Sequence, residues 1–203
     1  MKPVIVFDLG KTLVDFDYSI AANRIAPRCK PVADPVKFFS VHAALLTSYE
    51  LGLLSTTQFF DQIKAASGFS GTQAEFSEFF ADIFTPIQPM IDLHAEFRKR
   101  KVATFILSNT NDLAVEHIRK KFPFFNNFDG YVLSYEQGFM KPASKLYEIV
   151  EQASGRKSEE ICFIDDRPEN VQTGAARGWN IVLHEDSAKT REALQKFGLL
   201  DQS

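Results

Sequence analysis

Short runs of consecutive apolar residues recur along the chain, and each run ends at polar residues. They occupy positions 4–7, 102–107, 131–133, 161–164 and 180–183. Continuous apolarity, in contrast to strict alternation, is typical of strands that are buried on both faces of a parallel sheet. We therefore predict that these runs form the strands of one mostly parallel sheet.

Helical periodicity fills the segments between the later runs. The spacing of apolar residues predicts helices over 89–100, 112–121 and 142–153. Basic residues close the first two helices, where they interact favourably with the helix dipole. Pro142 stands near the first turn of the third helix, where its missing N–H costs nothing. Strands that alternate with such helices predict βαβ units.

The spacing of the strands is uneven, because about 100 residues separate Asp8 from Ser108. No strand pattern of comparable quality lies between them, and residues 34–84 have a helical pattern interrupted by glycine-containing turns. We therefore predict an all-helical insertion directly after the first strand.

This arrangement predicts an α/β fold of two parts. The core is a three-layer α/β/α, Rossmann-like parallel sheet made by residues 1–15 and 86–203, and the helical insertion spans 16–85. A chain of 203 residues is long enough to bury one generous core together with such an insertion.

Composition and charge exclude several classes of protein. The formal net charge of −3 argues against the broad basic face of a nucleic-acid binder. The only two cysteines, Cys29 and Cys162, argue against a disulfide scaffold and are typical of a reducing compartment. The apolar run at 4–7 is too short for a signal peptide or a membrane span. We expect a cytoplasmic protein with neither a membrane nor a nucleic acid as its partner.

Polar side chains that could take part in catalysis or ligand binding lie at the predicted strand ends. Open parallel sheets bind their ligands there. These side chains are Asp8, Ser108, Asn109, Lys141, Asp165 and Asp166. Three carboxylates in one crevice repel one another, and a hard cation such as Mg²⁺ with oxygen ligands removes that conflict. The hydroxyl and the ammonium are suited to a phosphoryl anion. The set therefore predicts phosphoryl transfer through an aspartyl-phosphate.

Four short motifs carry a resemblance to a known family. In order, they are 7–13 (FDLGKTL), 107–111 (LSNTN), 138–142 (GFMKP) and 163–166 (FIDD), with Asn170 after the last. The ordered set, which covers essentially the whole chain, resembles the haloacid dehalogenase-like (HAD) superfamily, and the insertion resembles the helical cap of its first subclass. Residues 8–10 (DLG) and 49–52 (YELG) look most like the branch that contains bacterial α-glucose-1-phosphate phosphatase.

The resemblance implies roles for the residues that bind and attack the phosphoryl group. Asp8 would be the nucleophile, and Lys141 would neutralise charge between the nucleophile and the phosphate. Ser108 and the backbone of Asn109 would bind the transferring group. The implied substrate is a small-molecule phosphate ester.

The resemblance also implies a Mg²⁺ site. Its ligands would be Asp8, the backbone carbonyl of Gly10 and Asp166, with Asp165 in support through a water or an orienting hydrogen bond. Asn170 is expected to hold the acidic loop. On the insertion, His42, Tyr49 and Glu50 are candidates for facing the substrate, although ordinary helix packing also accounts for each of them.

Gly10 departs from the family pattern. Most phosphatases of the superfamily carry an aspartate there as general acid and base, a role that typically contributes about 10²–10⁴-fold to the rate. A leaving group that needs little protonation, such as that of a sugar 1-phosphate or an acyl phosphate, would suffer least. Lys11, Asp15 or Asp17 are alternatives that could reach the leaving oxygen, although relatives also carry an aspartate at position 15.

The sequence thus favours a Mg²⁺-dependent hydrolase of phosphomonoesters, with a sugar phosphate and above all a sugar 1-phosphate as substrate. Two alternatives stay open: a low-activity or non-catalytic phosphate-binding protein that lacks the general acid, and a haloacid dehalogenase. The acidic pair at 165–166 speaks against the dehalogenase, because that reaction uses an aspartate but no metal. A phosphosugar mutase is disfavoured, because it must return the phosphoryl group through the missing acid.

Overall fold

The computed structural model describes residues 3–30 and 43–201. Its strands are β1 (Val4–Phe7), β2 (Val14–Phe16), β3 (Phe84–Pro86), β4 (Thr104–Ser108), β5 (Gly130–Leu133), β6 (Ile161–Asp165) and β7 (Asn180–Leu183). Its α-helices are α1 (Tyr18–Ile25), α2 (Ala43–Glu50), α3 (Thr56–Ser67), α4 (Gln73–Ala81), α5 (Gln88–Lys99), α6 (Asp112–Lys121), α7 (Ser134–Gln137), α8 (Ser144–Ser154), α9 (Pro168–Ala176) and α10 (Ser187–Lys196).

Five parallel strands form the central sheet in the order β5-β4-β1-β6-β7. Every residue of β1, β4 and β6 is buried, which explains their continuous apolar runs. Side chains alternate across β1: Ile5 and Phe7 pack into one core with α5 and α6, whereas Val4 and Val6 pack into another with α8 and α9. The predicted α/β fold with helices on both faces of a parallel sheet is confirmed.

A second, two-stranded sheet was not predicted from the sequence. Strands β2 and β3 pair antiparallel, with Asp15 opposite Thr85, so they join the two ends of the inserted segment. Each strand has three residues, which is too short to show a period of two. The insertion is therefore not purely helical at its ends. We keep the division of the chain at 16 and 85 as a proposal, because this pairing closes the insertion next to those positions.

Aromatic side chains make the core of the insertion. Phe59, Phe76 and Phe80 lie within one buried cluster, and the ring of Tyr49 stacks on Phe59 with a centroid distance of 4.4 Å. Leu113 of α6 joins the same cluster, so the insertion packs directly on the core. Bulky rings give a small helical unit the buried apolar area that it needs.

Of the candidates predicted on the insertion, His42 lies outside the described residues.

Among the helices at 3–30 and 43–201, none has both the length and the apolarity that a bilayer crossing requires.

Candidate active site

The carboxyl ends of three neighbouring strands bring the predicted motifs together. Strand β1 lies between β4 and β6, with Phe7 in register with Ile106 on one side and Ile164 on the other. Asp8 directly follows β1, and its N–H donates to the Ile164 carbonyl at 2.8 Å. Its carboxylate is thereby held beside the ends of both neighbouring strands.

Three carboxylates and one ammonium form the centre of the site. Oxygens of Asp8, Asp165 and Asp166 all lie within 4.8 Å of one another. The Lys141 Nζ lies 2.7 Å from Asp8 Oδ1 and 2.6 Å from Asp165 Oδ2. The Lys141 side chain is 2% exposed and the Asp165 side chain is fully buried. One buried cation thus links the ends of β1 and β6.

Burial and charge act in opposite directions on this group. Burial raises the pKa of the Asp8 carboxyl, the Lys141 ammonium opposes that rise, and Asp165 adds to it. Burial alone would lower the pKa of Lys141, but Asp8 and Asp165 outweigh it and raise that pKa. Burial and Asp165 also raise the pKa of Asp166. The three carboxylates have one buried ammonium between them, so the cluster favours a further cation.

Asp165 and Asp166 have different surroundings. Asp165 Oδ1 accepts from the Arg167 N–H and from Asn170 Nδ2, both at 2.9 Å, and its other oxygen accepts from Lys141 and again from Asn170. Asp166 is half-buried and lines the cavity described below. The hydrogen bonds of Asp165 suit a residue that orients Lys141 and the acidic loop, whereas Asp166 faces the space where a metal would bind.

Oxygen donors of this kind fit Mg²⁺, which takes one or two protein carboxylates together with substrate phosphate oxygens. Asp8, Gly10 and Asp166 all border the cavity. The residues present therefore fit the predicted metal.

The second motif (107–111) is hydrogen-bonded to the third (138–142). The Lys141 N–H donates to Asn109 Oδ1 at 2.7 Å, and Asn109 Nδ2 donates to the Lys141 carbonyl at 3.0 Å. This pair of bonds fixes the loop that carries the ammonium. Ser108 is buried at the end of β4 and borders a smaller, adjoining cavity of about 70 Å³.

A cavity of about 240 Å³ opens over the carboxylates. Its core side includes Asp8, Asn109, Lys141 and Asp166, together with Met140, Arg167 and Asn170. Its other wall comes from the insertion and its entrance: Phe16, Tyr18, Leu46 and Glu50. Sequence reasoning missed Phe16, Tyr18, Leu46, Met140 and Arg167. For Phe16 and Tyr18 one signal was available, their position a few residues after the first motif.

The ring of Phe16 explains the glycine at position 10. A Cβ added to Gly10 would lie 2.9 Å from Phe16 Cε1. That ring packs edge-on against Tyr18 and Phe84, so moving it would disturb both contacts. The space that a side chain would need at position 10 is therefore occupied by an aromatic ring.

Three residues were alternatives for protonating the leaving oxygen: Lys11, Asp15 and Asp17. They lie in different places. Lys11 lines the cavity, but its ammonium is paired with Asp15 and donates to the Phe16 carbonyl. Asp15 is exposed, and Asp17 caps α1 by accepting from the Ser19 N–H at 2.8 Å. Neither aspartate borders the cavity.

The adjacent insertion candidates, Tyr49 and Glu50, point in different directions. Tyr49 is buried, and its hydroxyl donates to Asp112 at the start of α6, so it packs and does not face the cavity. Glu50 lines the cavity, and burial raises the pKa of its carboxyl to about 7.

The chain is similar in sequence to known hydrolases. The sequence profile of the haloacid dehalogenase-like hydrolases matches residues 2–178. The chain is 26% identical over 197 residues to a D-ribitol-5-phosphate phosphatase of Bacteroides thetaiotaomicron, covering 94% of this chain and 95% of that protein. It is also 26% identical over 138 residues to the sesquiterpene phosphatase astK of Aspergillus oryzae, covering 67% of this chain and 69% of the relative.

A solved structure has the same fold. A HAD family enzyme of Bacteroides thetaiotaomicron, in complex with magnesium and inorganic phosphate, superposes with a TM-score of 0.77 at 22% identity. The match covers 92% of this chain and 97% of that one. The core and the described part of the insertion thus follow a known architecture.

Proposed function

This chain belongs to the haloacid dehalogenase-like hydrolases, and we propose that it is a Mg²⁺-dependent phosphatase that hydrolyses the phosphomonoester of a small metabolite through an aspartyl-phosphate on Asp8. The family expected from the four motifs is confirmed. The observation that carries the proposed reaction is the convergence of three carboxylates around the buried Lys141 at one end of the sheet. The named phosphatases among the relatives support it.

The chain's own residues supply most of the mechanism. Asp8 attacks phosphorus, and Lys141 stays beside it to offset the charge on the phosphoryl oxygens. Ser108 and the backbone of Asn109 bind that group, and the Asn109 side chain keeps Lys141 in position. Bound Mg²⁺, held by Asp8, Asp166 and the Gly10 carbonyl, would supply further charge stabilisation. Asp165 orients Lys141.

Metal removal tests the proposal directly. We expect EDTA to lower phosphate release at least about 100-fold, because without a divalent cation the carboxylate cluster repels the phosphate dianion. Release of inorganic phosphate is measured from glucose 1-phosphate, glucose 6-phosphate, ribitol 5-phosphate and p-nitrophenyl phosphate, before and after Mg²⁺ is restored. The absence of Mg²⁺-dependent release from every substrate would contradict the proposed function.

The same assay separates the dehalogenase alternative. A metal-free reaction gains nothing from Asp166 beside Asp8 and Asp165. Halide release from a 2-haloacid that persists in EDTA would support the dehalogenase and overturn the phosphatase.

We propose a small phosphorylated metabolite as the substrate, with two specific candidates. A cavity of about 240 Å³ suits a small metabolite. A sugar 1-phosphate is the first candidate, because Gly10 offers no proton to a poor leaving group. A sugar-alcohol phosphate is the second, supported by the relative that is a D-ribitol-5-phosphate phosphatase. The resemblance to the α-glucose-1-phosphate phosphatase branch is thus retained only as one of two proposals.

Restoring the aspartate of the first motif is expected to do little. In Gly10→Asp the new side chain meets the Phe16 ring, so we expect a loss of about 1–3 kcal/mol in the free energy of unfolding and less than a tenfold gain in kcat/KM for glucose 6-phosphate. Urea unfolding and initial rates provide the measurements. An inert wild type together with an active Gly10→Asp variant would instead support the non-catalytic, phosphate-binding alternative.

The remaining expectations stay predictions. Cys29 and Cys162 are both free thiols, in keeping with the reducing, cytoplasmic compartment that we propose. A small phosphate ester is the proposed partner.

A further inference from the structure

One acidic side chain on the insertion side of the cavity has no role in the chemistry described so far. Glu50, at the C-terminal end of α2, lines the 240 Å³ cavity together with Asp8 and Lys141, and it also borders the adjoining smaller cavity beside Ser108. Within the described part of the chain, no hydrogen bond or ion pair to its carboxyl group is found, while its backbone carbonyl is bonded. The carboxyl group is thus available to a ligand in the cavity.

The backbone around Glu50 is fixed to the core. Ser134 Oγ donates to the Glu50 carbonyl at 2.6 Å, and the preceding Tyr49 donates to Asp112. Gly52, with a φ of +69°, packs so closely on the Tyr135 carbonyl that no Cβ would fit there. These contacts join the end of α2 to α6 and α7 of the core, so the position of the Glu50 backbone is set by the fold.

Elimination among the acids of the cavity leaves Glu50. Of the carboxyl groups that border the 240 Å³ cavity, Asp8 and Asp166 belong to the proposed nucleophile and metal site. Glu50 comes from the insertion side of the same cavity, into which the leaving group of a substrate attached to Asp8 would extend. Tyr18 is the other proton-bearing group on that side.

Burial brings the titration of the Glu50 carboxyl group into the neutral pH range, so that both of its protonation states are populated there. Burial raises its pKa to about 7, and burial together with Glu50 raises the pKa of Tyr18. The charged or titratable groups that share the cavity with Glu50 are Tyr18 on its own wall and Asp8, Lys11, Lys141, Asp166 and Arg167 across it. A neutral carboxyl group also avoids repelling a phosphate dianion.

We propose that Glu50 is the general acid of this enzyme, replacing the aspartate that Gly10 lacks and donating its proton to the leaving-group oxygen. The inference rests on the proposed phosphatase function. In the first step Asp8 forms the bond to phosphorus, the bond from phosphorus to the leaving oxygen breaks, and the Glu50 proton goes to that oxygen, which releases an alcohol.

In the second step water attacks the aspartyl-phosphate. The Glu50 carboxylate takes a proton from that water, the bond between phosphorus and Asp8 breaks, and inorganic phosphate leaves. Asp8 is regenerated as a carboxylate and Glu50 as an acid, so the cycle consumes one ester and one water. With this acid in place, primary phosphates of sugars or sugar alcohols are accessible in addition to sugar 1-phosphates.

The test is Glu50→Gln, which keeps the size of the side chain and removes the proton donor. For the faster of glucose 6-phosphate and ribitol 5-phosphate, both of which have poorly leaving alkoxides, we expect kcat/KM to fall about 10²–10⁴-fold. For p-nitrophenyl phosphate, whose leaving group needs no proton, we expect kcat/KM to fall less than tenfold, because kcat/KM reports the steps up to release of the leaving group and not the later attack of water. The retained p-nitrophenyl phosphate rate also shows that the variant is folded.

The pH profile gives a second readout. For the alkyl phosphate, wild-type kcat/KM should fall as the pH rises above about 7, because Glu50 then loses its proton. That fall should be absent in Glu50→Gln and present in Glu50→Asp, which should also recover part of the lost rate.

The control variants are Glu78→Gln, an exposed glutamate on α4, and Tyr18→Phe. Both variants should keep the wild-type ratio of kcat/KM for the alkyl phosphate to kcat/KM for p-nitrophenyl phosphate. If Glu50→Gln lowers both substrates equally, or if Tyr18→Phe shows the loss that depends on the leaving group, Glu50 is not the general acid while the phosphatase proposal stands. A wild type that releases no phosphate from any substrate contradicts the proposed function itself.

Discussion

Asp8→Asn is expected to reduce phosphate release by at least about 10⁴-fold, because Asp8 is the proposed nucleophile and an amide cannot attack phosphorus. The variant should still fold, since Lys141 keeps its bond to Asp165 at 2.6 Å after the Asp8 charge is removed. Acid quenching of the wild type during turnover of ³²P-labelled ester should trap a labelled protein, and the variant should stay unlabelled.

The matched control is Asp61→Asn, an exposed aspartate on α3, which should keep the wild-type rate and the label. Asp8→Asn activity within about tenfold of the wild type, with a native far-UV circular dichroism spectrum, would mean that Asp8 is not the nucleophile. The proposed mechanism would then be wrong.

Lys141→Met is expected to damage both stability and activity. Removing one partner of a buried ion pair costs about 3–5 kcal/mol, and here two buried carboxylates lose their cation. The rate should fall at least about 100-fold, because the positive charge beside the nucleophile is lost. Urea unfolding at pH 7 and initial rates at saturating Mg²⁺ provide the measurements.

The lost stability should depend on pH in a defined direction. Without Lys141, burial and Asp165 raise the pKa of folded Asp8 further, against only the hydrogen bond from the Leu9 N–H, whereas unfolded Asp8 titrates near 3.8. Between these pKa values the folded state binds more protons than the unfolded state, so the stability of the variant falls as the pH rises. The difference from the wild type should therefore be larger at pH 8 than at pH 5.

Two further variants make this prediction specific. Lys145→Met removes an exposed lysine on α8 that pairs with Glu148, and it should change stability by less than about 0.5 kcal/mol. Adding Asp165→Asn to Lys141→Met should recover part of the stability, because one of the two unpaired carboxylates is gone. A Lys141→Met variant as stable as Lys145→Met would contradict the interpretation of Lys141 as a buried ionic link.

The local sequence was sufficient for the fold class and for the position of the central polar residues. The runs at β1, β4 and β6 are apolar throughout because both faces of those strands are buried. Parallel strands that lie side by side end at the same edge of the sheet. The residues that directly follow each apolar run therefore lie close together, regardless of the conformation of the chain between the runs. That is why Asp8 and Asp165, far apart in sequence, both lie within reach of Lys141.

The same reasoning could not predict the insertion side of the cavity. Helical periodicity marks an apolar face, but neighbouring residues such as Tyr49 and Glu50 project in different directions, and either could have faced the substrate. The tertiary structure decides between them, because Tyr49 stacks on Phe59 and bonds Asp112 while Glu50 borders the cavity.

The sequence by itself thus determined a parallel α/β sheet and the family of the enzyme, since strand burial and short motifs are local properties, and it predicted an insertion after the first strand. Only the tertiary structure decided that β2 pairs with β3, that the Phe16 ring fills the space beside Gly10, and that Glu50 borders the same cavity as Asp8. These contacts join residues that are distant in the chain or on separate elements. Whether these contacts form depends on how the surfaces of separate elements pack together, and a local sequence pattern contains no information about that packing.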